Sequence, residues 1–292
     1  AMDILTNYTF QIVALGSVLL AVAAAPVGAF SVYKGQSLIG DAIGHSTFPG
    51  IILAYMAFAT RSPVILLAGA ILAGAASYAL IQLAHRDKRL GLDANLAIFL
   101  SGFFGLGMAL KSFIQGNPDY AGASQAGLGT YIFGQAAYML EADVLLIAAI
   151  SALVLTLLLL FYKELKLFVF DAEYAEVVGL PCRLLNLLLL VMTIAVIGIG
   201  IKAVGAILIS SFLIIPCVAA NQWSNNFARV LLLSSLIGAV SALVGTYIST
   251  LEQGMSTGPS IILVASLIAF FSIVFGTKGI LGSVLKRRRT HG

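Results

Sequence analysis

The sequence predicts an all-α polytopic membrane protein with about nine transmembrane helices, its N-terminus outside and its C-terminus in the cytoplasm. Three observations carry this. Apolar residues make up 60% of 292 and charged residues only 10%, whereas a soluble domain holds about 25% charged residues because its surface must face water. Mean hydropathy is +1.05. The apolar residues also gather in runs of about 20, the length needed to cross roughly 30 Å of hydrocarbon.

The predicted spans are 10–30, 38–60, 64–84, 94–114, 144–162, 184–201, 204–220, 230–250 and 259–275. The first lacks a basic lead and is long enough to span, so no cleavable signal peptide is expected, and Ala1 before Met2 reads as an added residue. The sixth and seventh spans divide a long apolar stretch. As one helix, residues 184–220 would extend about 55 Å and overshoot the bilayer, so a tight turn is expected near Gly198, Gly200 and Lys202. Orientation follows from the cations. With the N-terminus outside, 13 of the 16 Lys and Arg residues fall on the cytoplasmic side, leaving Arg61, Lys111 and Lys202 outside. Residues 127–140, semi-apolar with Gly127, Gly129 and Gly134, are too few to cross. Residues 115–143 therefore form an extracytoplasmic loop or re-entrant segment within a single transmembrane domain covering 1–292. Small residues such as Ala70, Gly74 and Ser77 in the third span, and Ser101, Gly105 and Ala109 in the fourth, allow close helix approach.

The net charge of +4 does not point to nucleic acid, because the cations cap apolar runs instead of forming a basic face. Cys182 and Cys217 have no metal-type spacing and no structural disulfide is expected between them.

The most informative run is residues 40–50. Asp41 and His45 are four apart, so a helix presents both on one face about one turn apart. An ionisable group at membrane depth is costly unless it has a partner or lines a cavity, and a carboxylate with a neutral imidazole suits a divalent transition metal. Gly40, Gly44 and Gly50 thin the helix for a neighbour's approach, and Pro49 removes a backbone hydrogen bond, freeing a carbonyl. The bland alternative is that Asp41 and His45 only bond each other. Two ligands are too few for a tight structural site, which favours a transient one completed by other helices or a second copy. His85 reads as a solvated boundary residue and His291 as tail; Asp119, Glu141, Asp143 and Glu252 read as outer-loop residues. The basic residues Lys286, Arg287, Arg288 and Arg289 suit anionic inner-leaflet lipid.

A second run lies in the cytoplasmic loop 163–183. Asp171 can cap a short helix with Glu173 in its first turn, and Gly179 with Pro181 supplies a stop. It reads either as a plain interfacial helix or as a docking element. No Walker A run, His-Glu-x-x-His or Gly-x-Ser-x-Gly is present, so ATP binding by that route and the usual hydrolase groups are not expected, and the chain is read as a non-enzyme.

Several segments together resemble the membrane permease subunit of ABC-type manganese, zinc and iron importers, the ABC-3 permeases. Residues 34–50 (KGQSLIGDAIGHSTFPG) are similar to the family's Gly-Asp-x-x-x-His-x-x-x-Pro-Gly signature, and residues 125–135 (QAGLGTYIFGQ) to its outer-loop motif. Residues 170–181 resemble its coupling-helix segment; residues 204–216 and 257–260 complete the match. The resemblance implies that Asp41 and His45 line the metal pathway as transient ligands for transported manganese, zinc or iron, with no stably bound cofactor. It implies that Asp171, Glu173, Tyr174, Glu176, Gly179, Leu180 and Pro181 dock on a separate ATP-binding ABC subunit. It also implies an extracytoplasmic metal-binding protein, a second permease copy, and the plasma (inner) membrane of a prokaryote. Cys217 departs from the pattern, standing after Pro216 where a small residue such as alanine is expected, and reads as a packing substitution.

The function expected is therefore the permease subunit of an ATP-driven importer of divalent transition metals. Manganese is favoured because one hard carboxylate and no thiolate is assigned. A gradient-driven secondary metal transporter and a membrane enzyme using the Asp–His pair are the alternatives.

Overall fold

The computed structural model describes residues 7–60, 62–85, 91–117, 120, 139–251 and 255–281. The predicted outer-loop motif at 125–135, Asp119, Glu252, Arg61, the cations at 86–89 and the basic tail lie outside the described residues. Among those described, eleven α-helices follow one another: α1 Tyr8–Tyr33, α2 Ile39–Phe58, α3 Pro63–His85, α4 Leu92–Gly116, α5 Glu141–Leu160, α6 Tyr162–Phe170, α7 Ala172–Val177, α8 Cys182–Val204, α9 Ala206–Asn221, α10 Phe227–Leu251 and α11 Thr257–Phe275. Every predicted apolar run falls on one of them. Seven (α1, α3, α4, α5, α8, α10 and α11) are long and apolar enough to cross a membrane. The other two differ for physical reasons. Helix α2 has 20 residues, but Asp41, His45, Ser46, Thr47 and Pro49 dilute its apolarity. Helix α9 has 16 residues, about 24 Å of rise, short of the hydrocarbon thickness.

Helix α1 forms the axis of the bundle. Asn7 caps it by accepting the Thr9 N–H at 2.9 Å, and most of its length is buried against α5, α8, α9 and α10. Pro26 sits inside this helix and has no N–H for the Val22 carbonyl. The Ser235 hydroxyl of α10 donates to that carbonyl at 3.2 Å, so the lost bond is made between helices. Helix α2 packs in a second group with α3 and α4 and touches α9 along its other flank. The α2–α3 contact is backbone on backbone: a Cβ at Gly50 would stand 2.2 Å from the Gly69 carbonyl oxygen, and one at Gly69 2.5 Å from that of Gly50. Small residues permit such proximity where no hydrophobic drive separates helix from lipid.

The expected turn between the sixth and seventh spans is present but shifted. Gly198 and Gly200 are helical, and the break falls at Gly205, with φ 86° and ψ 163°, between α8 and α9. Only glycine takes that backbone readily. Gly200 serves a different purpose, since a Cβ there would lie 2.8 Å from Ile209 Cδ1, so it admits the returning helix. The stripe Ser101, Gly105 and Ala109 on α4 also departs from expectation. It faces outward, and Gly107 makes the close contact instead, against Phe48.

Candidate functional site

Asp41 and His45 occupy the first two turns of α2. Asp41 stands in the opening turn, where the helix dipole favours a carboxylate. His45 Nε2 lies 3.5 Å from Asp41 Oδ1, and the two side chains remain 18% and 27% exposed respectively. That separation is long for a hydrogen bond, so neither group is spent on the other. The His45 ring meets Phe104 of α4 edge to face, with centroids 5.1 Å apart and planes at 84°. Phe104 restrains the ring without offering a donor or acceptor. Pro49, four residues on, has no N–H for the His45 carbonyl. A carboxylate, an imidazole and a carbonyl without its usual N–H four residues on thus stand within about one turn. Among the described residues no cluster of three or more His, Cys, Asp or Glu side chains could hold a metal. The pair can take a cation weakly, and a fuller shell needs groups from elsewhere.

The second predicted segment is separate in space. Helix α6 ends at Phe170, and Asp171 both closes it and caps α7, its Oδ1 accepting the Tyr174 N–H at 2.9 Å. Helix α7 stops as the sequence predicts. Gly179 has φ 87°, the Leu180 N–H donates to the Ala175 carbonyl at 2.9 Å and the Gly179 N–H to that of Glu176 at 3.0 Å, which is a Schellman closure. Pro181 then starts α8. Of this segment Ala175 is buried, whereas Asp171, Glu173, Tyr174, Glu176 and Pro181 are exposed. Val177 is 83% exposed, so the segment presents a mixed acidic and apolar surface.

Its base is fixed firmly. Phe170 packs on Tyr33 at 5.3 Å and on Phe227 at 5.2 Å, Phe30 and Tyr33 also meet Phe227, and the Tyr33 hydroxyl donates to Asn221 Oδ1 at 2.9 Å. His85 ends α3 exposed, as a boundary residue should. Cys182 and Cys217 are buried and free.

Sequence reading missed one constellation. Lys34 Nζ donates to Asn186 Oδ1 and lies 4.8 Å from the centroid of the Phe168 ring. Asn186 Nδ2 donates to the Tyr78 hydroxyl at 2.9 Å, which also accepts from Gln82 Nε2 at 2.7 Å. Burial lowers the Lys34 ammonium from its usual range to about 8. A signal existed: Tyr78 and Gln82 are four apart on α3, and Asn186 interrupts an apolar run.

The profile of the ABC 3 transport family matches residues 6–276. The chain belongs to that family. Among its relatives, the zinc transport system membrane protein TroC of Treponema pallidum is 39% identical over 289 residues, 99% of this chain and 96% of that protein. The manganese transport system membrane protein MntC of Bacillus subtilis is 39% identical over 285 residues, 96% of this chain but 65% of the longer relative. The fold matches PsaBC from Streptococcus pneumoniae, solved in complex with a Fab, with a TM-score of 0.81, 26% identity and 95% coverage of each chain. With its apolar helices, this ABC 3 transport member is an integral membrane protein.

Proposed function

We propose that the chain is the membrane-spanning permease subunit of an ATP-driven importer for divalent transition metal ions. Asp41 and His45 serve as transient ligands on the transport path. The observation that carries this reading is the spacing of the pair: two ligand groups 3.5 Å apart, partly open and, among the described residues, bonded to no other polar side chain. A site of two protein ligands releases its ion readily, which suits transport more than storage. The imidazole must be neutral to bind a metal, so loading competes with protons.

In the same reading all nine apolar helices span, with the N-terminus outside and the C-terminus cytoplasmic in the inner membrane of a prokaryote. The chain is one transmembrane domain, with residues 115–143 on the outer face. The segment 163–183 is cytoplasmic, and the exposed Glu173, Tyr174, Glu176 and Val177 face an ATP-binding ABC subunit that performs the hydrolysis. The uncovered stripe Ser101, Gly105 and Ala109 on α4, the helix that also bears Phe104 against His45, supports a second copy of the permease beside the pair. An extracytoplasmic metal-binding protein delivers the ion, and alternating access re-aims the cavity when ATP closes the subunits below. Manganese is favoured over zinc or iron because the assigned ligands are one carboxylate and one imidazole, with no thiolate. The two relatives, named for zinc and for manganese, support the metal class and divide on the ion.

Uptake of manganese(II) and zinc(II) by cells expressing the whole transporter tests this. Asp41→Ala and His45→Ala should each abolish uptake while the protein still assembles, and elemental analysis should find manganese in the wild-type cells. Normal uptake by a well-expressed Asp41→Ala protein would sink the proposed path. Zinc accumulation alone would overturn only the choice of ion.

A further inference from the structure

The proposed path makes no use of the polar chain that runs behind the metal pair. Each of its links belongs to a different part of the fold. Phe168 of α6 lies under Lys34, in the connection between α1 and α2. Lys34 bonds Asn186 of α8, and Asn186 bonds Tyr78 of α3. One residue before Tyr78, the Ser77 hydroxyl receives the Ser46 hydroxyl of α2 at 2.7 Å, both fully buried. Ser46 follows His45 directly. Ile39 and Ile43 of α2 line one small cleft with Lys34, Tyr78 and Asn186, so α2 borders the chain over about a turn beyond the Ser46 bond.

At about 100° per residue, Ile39, Ile43 and Ser46 share one face of α2, and Asp41 and His45 lie nearly opposite. The chain therefore holds the helix from behind and leaves the ligand face free. Polar groups buried in this way add little net stability, but breaking any link strands an unsatisfied partner. Such links move together or not at all.

We propose that Lys34, Asn186, Tyr78 and the Ser77–Ser46 pair are positioning residues that tie the base of the α6–α7 segment to the back of α2. Displacement of that segment then shifts Asp41 and His45 as a unit. The inference rests on the metal-permease reading and assigns it a coupling route.

The test uses the permease assembled with its ATP-binding subunit in proteoliposomes, with manganese(II) supplied on the extracytoplasmic binding protein. Asn186→Leu removes both bonds to Lys34 and Tyr78, and Tyr78→Phe removes only a hydroxyl. The ratio of manganese transported to ATP hydrolysed should fall about fivefold or more in each, with assembly retained in Tyr78→Phe and its thermal midpoint lowered, since Asn186 and Gln82 lose their acceptor. If Asn186→Leu does not assemble, Tyr78→Phe alone decides. An unchanged ratio, or uptake and hydrolysis falling in the same proportion, would overturn the coupling role and leave a simple brace. Asp41→Ala run in parallel separates the two readings. Normal uptake there removes the ligand assignment, while the Tyr78→Phe ratio still reports on the route.

Discussion

One face of α2 carries Asp41 and His45, 3.5 Å apart, partly open, with an aromatic edge against the imidazole. The opposite face carries Ser46, bonded both to Ser77 and to the Ala42 carbonyl, and Gly50 pressed on the backbone of α3. The same twenty-residue helix is thus loosely satisfied in front and fully satisfied behind. Polar groups left short of partners at membrane depth cost free energy unless a ligand or a cavity relieves them. Groups that have all their partners fix geometry. The contrast separates residues that hold a cargo from residues that hold a helix, and it predicts opposite responses to mutation on the two faces.

The largest effect belongs to the back. Gly50→Leu would drive a side chain into the Gly69 carbonyl, where a Cβ already lies at 2.2 Å, and backbone cannot yield as a flexible side chain can. A loss of about 3 kcal/mol is expected, measured as failure to recover monodisperse protein in detergent. Recovery in wild-type yield would break the comparison. Next comes the front. Asp41→Ala should cost about 100-fold or more in uptake, beyond the 10–100-fold seen for residues that merely orient metal ligands. Its thermal midpoint should be unchanged or raised, because an under-partnered carboxylate is removed. A large drop in midpoint would show Asp41 to be a structural group. Ser46→Ala falls between them in meaning and below both in size. It leaves Ser77 with one partner fewer and should destabilise by about 1 kcal/mol, read by thermal denaturation with uptake as the companion measurement.

The fold was legible in the sequence because lipid imposes one rule, that backbone polar groups be satisfied within helices, and apolar runs report it directly. The Asp171 cap and the Gly179 stop were legible for a similar reason: each rests on contacts within a few residues. What escaped was long-range or conformational. Three glycines compete for the α8–α9 turn, and local pattern does not say that Gly205 takes the left-handed backbone while Gly200 gives room to Ile209. On α4 the stripe around Gly105 and the contact at Gly107 differ only by which side of the helix meets α2, and that depends on tertiary packing. The pair at Asp41 and His45 could be found by helical spacing alone. The chain from Lys34 to Tyr78 joins residues 152 and 108 positions apart, and no period in the sequence encodes that.

Lys34 supplies the smallest and most diagnostic test, since it is a titratable group within the network behind α2. Its ammonium titrates at about 8 in the folded protein against 10.5 as the ordinary value, the shift arising from burial. Between those two values the unfolded chain holds a proton that the folded chain has released. Unfolding there takes up a proton, so raising the pH favours the folded state. Below about 8 both states are protonated and Lys34 contributes no pH dependence. Among the described residues no carboxylate lines the cleft beside Lys34, and the neutral amine can still donate to Asn186, so the charged contact with the Phe168 ring is what deprotonation removes. The thermal midpoint of the wild type relative to Lys34→Met should therefore climb between pH 8 and pH 10 and stay level between pH 6 and pH 7. A difference independent of pH would mean that the Lys34 ammonium is solvated like a surface group, and the satisfied back of α2 would lose its outermost link.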